Sequence, residues 1–126
     1  ETNDIKIEAD FYRGMESLRT RDFLMSIAFF TQVIEKKPNF AEAWNKRATV
    51  YYMMGDFDKS MYDINETLKL EPRHFGAMDG MGLIFIHLHQ YEKAIKIYEQ
   101  MLEIFPNNQT IKNKKKLMEE NLSKSA

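Results

Sequence analysis

The sequence predicts an all-α fold: a solenoid of three helical hairpins closed by a C-terminal capping helix. Three ladders at one spacing predict it. Pro38, Pro72 and Pro106 lie 34 residues apart, as do Gly14, Ala48 and Gly82, and as do Phe23, Phe57 and Tyr91. Breakers, small residues and aromatics sharing one period divide a single domain into a lead 1–6, repeats 7–40, 41–74 and 75–108, and a capping helix in the tail 109–126.

Each repeat reads as two helices. In the first, helix A runs near Ile7–Arg19 and helix B near Phe23–Lys36, with Asp22 placed to cap helix B. In the second, Ala41 opens a run in which Trp44, Ala48 and Tyr51 recur at i, i+4 and i+7, one face of a helix. Gly55 stops it, because a left-handed position costs glycine nothing. Asp56 then caps a helix B that shows Phe57, Met61, Ile64 and Leu68 on one face. Glu71 precedes Pro72, and a residue before proline is pushed out of the helical region. In the third, helix A spans about Phe75–Leu88 and helix B about Tyr91–Ile104, ahead of Pro106. The small residues at 14, 48 and 82, with Ser26, Ser60 and Ala94 opposite, let the two helices of a hairpin cross closely.

Composition excludes several functions. The 126 residues carry 18 basic and 19 acidic side chains, a net charge of -1, without the positive field of a nucleic-acid binder. There is no Cys, hence no disulfide, thiolate metal site or cysteine nucleophile. No run of about 18 apolar residues exists to insert into a membrane. His87 and His89 are two apart and diverge on a helix, so no metal site is expected. Asp56 and Asp58 belong to a helix start, Ser26 and Ser60 have no activating His, and the glycines form no phosphate loop. The sequence therefore predicts neither an enzyme nor a cofactor. Lys112, Lys114, Lys115 and Lys116 read as the wet face of the capping helix, opposed by Glu119 and Glu120. The chain opens on Glu1 rather than Met, as a piece of a longer protein does, or as a chain after removal of a targeting segment, which would imply periplasmic or organellar export.

Trp44, Ala48, Tyr51 and Pro72 in the second repeat, and Gly82, Phe85, Ala94, Tyr98 and Pro106 in the third, resemble the tetratricopeptide repeat. The first repeat keeps Gly14, Phe30 and Pro38 but has Asp10 and Ser17 where the pattern has bulky residues, as suits an end repeat whose outer face meets water. The strings 41–49 and 71–77 are similar to small exported bacterial and organellar plant members of the family. The resemblance implies a right-handed α-solenoid whose A helices line a concave, partner-binding face. Carried over by repeat position, the groove residues are Phe11, Met15 and Leu18, then Asn45, Thr49, Tyr52 and Met53, then Asp79, Leu83, Ile86 and His87. Chaperone-tail binders of the family hold a terminal carboxylate with Lys, Asn and Arg side chains. The matching positions are Phe11, Met15, Lys46, Gly76 and Gly80, so no such clamp is expected. The implied function is a non-enzymatic module that binds a peptide or helix of a protein partner. The alternatives are a self-associating, homo-oligomeric assembly module using the same apolar surface, and an adaptor segment of a larger protein.

Overall fold

The computed structural model describes the backbone of residues 2–125 and the side chains of 4–124. Among these residues there are seven helices and no strand: α1 (Thr2–Arg19), α2 (Phe23–Lys36), α3 (Ala41–Met53), α4 (Phe57–Leu70), α5 (Phe75–His87), α6 (Tyr91–Ile104) and α7 (Gln109–Ser125). The main difference from the predicted boundaries is at the start. The segment set apart as a lead is already helical from Thr2, because no glycine or proline separates it from Ile7. No helix among the described residues is long and apolar enough to cross a membrane.

The hairpin turns reuse one device. Arg21, Gly55 and His89, at the same repeat position, adopt φ of 64°, 80° and 57°. Only glycine enters that region without strain. The caps follow at once: Asp22 accepts from the Met25 N–H at 3.3 Å and Asp56 from the Lys59 N–H at 3.2 Å. The start of α5 holds a cap the sequence did not disclose. His74 Nδ1 accepts from the Ala77 N–H at 3.0 Å, so the ring does the work usually given to Asp or Ser.

The chain forms two compact units, Glu1–Pro72 and Arg73–Ala126. In the first, α1 pairs with α2, α3 with α4, and α2 packs on α3. Its core gathers Ile7, Val33, Ile34 and Ala43, with Phe11, Phe40 and Trp44 packed against them. In the second, α6 packs between α5 and α7. Ile111 and Met118 are the buried residues by which α7 caps this unit, beside the buried Tyr98 and Met101 of α6.

Small residues set the crossing within each hairpin. A Cβ on Gly14 would stand 2.7 Å from the Phe30 ring, and one on Gly82 2.9 Å from the Tyr98 ring. Ser26 Oγ donates to the Gly14 carbonyl at 2.8 Å and Ser60 Oγ to the Ala48 carbonyl at 2.7 Å, so each hydroxyl is satisfied as it is buried. In α4 the deepest positions are Ser60, Asp63, Ile64 and Thr67, while Phe57, Met61 and Leu68 are half-buried. The buried stripe is thus turned toward the small and polar residues.

Candidate partner-binding surface

The predicted groove residues fall at equivalent places on successive A helices. In the first unit, α1 contributes Met15 and Leu18, and α3 contributes Asn45, Thr49, Tyr52 and Met53. Met15, Leu18, Asn45 and Tyr52 are half-buried, Thr49 is exposed, and Met53 is 40% exposed. Thr49 Oγ1 donates to the Asn45 carbonyl at 3.1 Å, and the Tyr52 ring lies 5.7 Å from that of Phe57. Phe11, assigned to the same face, is half-buried between the rings of Phe40 at 5.0 Å and Phe30 at 5.6 Å. Its ring therefore also closes the seam between the two hairpins.

In the second unit, Asp79, Leu83 and Ile86 of α5 are half-buried and His87 is exposed. On the same element Gly76 is exposed and Gly80 half-buried. Lys114 Nζ donates to Asp79 Oδ1 at 2.9 Å, which ties α7 to α5. Lys115 approaches Glu99 at 3.8 Å and Glu119 at 3.6 Å. Two members of the lysine run are thus in ion pairs, while Lys112 and Lys116 are exposed. Leu117 is 53% exposed on the same helix.

One charged network lay outside the sequence reading. Arg47 grips Asp63 with two parallel bonds of 2.8 Å each, from Nε and Nη2, and its Nη1 donates to Thr31 Oγ1 at 3.1 Å. The guanidinium also lies 5.2 Å from the Trp44 ring and 5.8 Å from that of Tyr51. Burial pushes the Asp63 carboxyl above its ordinary range while the Arg47 bond pulls it down, and that bond raises Arg47 against the effect of its own desolvation. This network pins α2, α3 and α4 together. A second buried acid, Asp10, stands at the repeat position of Trp44, with Arg13 at 3.5 Å and Lys36 at 3.7 Å.

Antiparallel helix pairs with closed crossings, carrying half-exposed side chains at one recurring set of A-helix positions, define a helical-hairpin protein-interaction scaffold. The chain belongs to the tetratricopeptide repeat family, whose models match residues 29–62 and 76–108. A TPR repeat-containing protein of Rhizobium etli is 38% identical over 98 residues, which is 78% of this chain and 48% of the relative. Small glutamine-rich tetratricopeptide repeat-containing protein 2 of Mycosarcoma maydis is 24% identical over 113 residues, 90% of this chain and 32% of the relative. The chain thus spans about half or less of these two relatives. Among solved structures, the first TPR of Spaghetti (RPAP3) bound to an HSP90 peptide superposes with a TM-score of 0.85 at 23% identity, covering 94% of this chain and 96% of that one. MamA superposes with a TM-score of 0.74 at 24% identity, over 77% of this chain and 57% of that one.

Proposed function

We propose that the A-helix faces of this protein hold an extended or helical segment of a partner polypeptide, without catalysis. The observation that carries this reading is a recurrence of half-buried apolar side chains at two repeat positions. Met15 and Leu83 share one position, and Leu18, Tyr52 and Ile86 share the other. The hairpin cores are closed by other residues, among them Ile7, Val33, Ile34, Tyr98 and Met101. Such apolar surface on a folded domain marks an interaction site, and methionine adapts its shape to several ligands. The helices are ordered before binding, so little conformational entropy is lost on this side. The solved neighbour with an HSP90 peptide bound supports peptide capture as a use of this fold.

The test uses peptides selected from a random library on the 126-residue chain. Leu18→Glu with Met53→Glu, both in the first unit, is expected to weaken the best peptide by about tenfold or more, since two anchoring contacts are lost. These sites are preferred to Tyr52, whose contact with Phe57 would mix binding with stability. A double mutant with native circular dichroism and undiminished affinity would place the site elsewhere.

The same reading has a specificity. A clamp for a terminal carboxylate needs several fixed donors, and the matching positions hold Phe11, Met15, Lys46, Gly76 and Gly80. A peptide ending Glu-Glu-Val-Asp is expected to give no binding heat in calorimetry at micromolar concentrations. Micromolar affinity for it would overturn this part of the proposal.

A further inference from the structure

The outer face of α1 carries apolar side chains that neither the core nor the proposed groove uses. Ile5 is 69% exposed and Tyr12 71% exposed, with half-buried Ala9 between them. The hairpin does not need them. At the repeat position of Tyr12 the other hairpins carry Lys46 and Gly80, and at that of Ile5 they carry Asn39 and Arg73. The face is nevertheless of the kind that packs on another helix. Ala9 and Arg13 stand at the repeat positions of Ala43 and Arg47. On α3, Ala43 is buried in the core shared with α1 and α2, and Arg47 reaches Thr31 of α2.

Its pattern selects an occupant. Ile5, Ala9, Tyr12 and Glu16 recur at intervals of four, three and four, the seam of a two-helix coiled coil. Glu8 flanks the seam on one side and Arg13 on the other, five residues further on. When two copies of such a helix pair in parallel, opposite flanks meet, and Glu8 of each faces Arg13 of the other, the usual interhelical ion pair. When they pair antiparallel about a two-fold axis, like flanks meet, and Glu8 approaches Glu8. Glu8 is exposed, and Arg13 is 61% exposed with its nearest acid, Asp10, at a long 3.5 Å. Glu8 can therefore reach across, and so can Arg13 from its long contact with Asp10.

We propose that α1 pairs in parallel with α1 of a second copy of this chain, through layers of Ile5, Ala9 and Tyr12 flanked by Glu8–Arg13 ion pairs. Three apolar layers ending at the charged Glu16 make a short seam, so the dimer is a weak one. It is separate from the peptide-binding reading and stands or falls without it.

Sedimentation equilibrium of the whole chain tests it over a range from about 10 µM to about 1 mM. The average mass is expected to rise from 15.0 kDa toward twice that value. Tyr12→Glu should raise the dissociation constant about tenfold or more while leaving helicity and affinity for a selected groove peptide unchanged. Glu8→Arg and Arg13→Glu should each weaken pairing by roughly three- to tenfold, and the exchange of both should restore it to within about twofold. A chain that stays monomeric throughout overturns the proposal. So does a dimer indifferent to Tyr12→Glu, which would be joined through another surface, or a charge exchange that fails to recover, which would mean another orientation.

Discussion

Asp63→Ala will lower folding stability by about 3–5 kcal/mol, measured by urea unfolding, because it leaves the guanidinium of Arg47 without its counter-charge inside the fold. The side chain of Asp63 is 1% exposed and that of Arg47 15% exposed. Two bonds of 2.8 Å join them across the α3–α4 hairpin, and the third arm of Arg47 reaches α2. Loss of the carboxylate strands the cation among Trp44, Tyr51 and Thr31, which offer a ring face or a hydroxyl but no negative charge. The size of that loss is not the worth of the pair. Desolvating both charges offsets most of their attraction, so Arg47→Met with Asp63→Leu is expected to retain most of the stability. A loss below about 1 kcal/mol for Asp63→Ala would mean that the pair behaves like a solvated surface bridge.

The same network has a pH signature whose sign follows from its cause. Burial holds the Asp63 carboxyl above its ordinary range. A group that keeps its proton more tightly in the fold than in the open chain favours folding most in acid, and that contribution is lost as pH rises through the carboxylate range. The stability of the native chain minus that of the Arg47→Met/Asp63→Leu chain should therefore fall from acid to neutral pH. A difference that rises with pH would show that Arg47, not burial, governs Asp63.

The repeats were legible because their signals are local and periodic. A proline, a capping Asp or a glycine acts within one turn of chain; the proline recurs at 38, 72 and 106 and the capping Asp at 22 and 56. Most of what escaped depends on partners distant in sequence. Arg47 and Asp63 are sixteen residues apart, and no local pattern couples them. One clue was present: Asp63 shares an i, i+3, i+4, i+7 stripe with Ser60, Ile64 and Thr67, and all four are buried. Repeat position put Phe11 on the concave face, but the rings of Phe30 and Phe40 that hold it come from other segments. His74 escaped because an imidazole is a rare cap, and its role depends on which ring nitrogen is left unprotonated. The outer seam of α1 was hidden for a different reason. Dividing the chain at Ile7 cut Ile5 away from Ala9 and Tyr12.

Gly14→Ala should destabilise the fold by about 1–2 kcal/mol, although alanine is intrinsically worth roughly 1 kcal/mol more than glycine in a helix. The added methyl would sit 2.7 Å from the Phe30 ring, inside van der Waals contact, and that ring is wholly buried with no room to retreat. The repeats themselves supply the remedy. The two positions hold Gly14 with Phe30, Gly82 with Tyr98, and Ala48 with Ile64. Glycine accompanies an aromatic ring, and alanine accompanies the smaller isoleucine. Volume is shared across the crossing rather than fixed at either site, as close packing requires. Phe30→Ile alone should cost about 1–2 kcal/mol for the void it opens. Gly14→Ala with Phe30→Ile recreates the pair of the second hairpin, so its cost should fall well below the sum of the single changes, a coupling of about 1–2 kcal/mol. Strict additivity in denaturant unfolding would mean that glycine serves the approach of the backbones and not the fit of the ring. The same cycle on Gly82 and Tyr98, where a Cβ would come within 2.9 Å of the ring, should give the same sign.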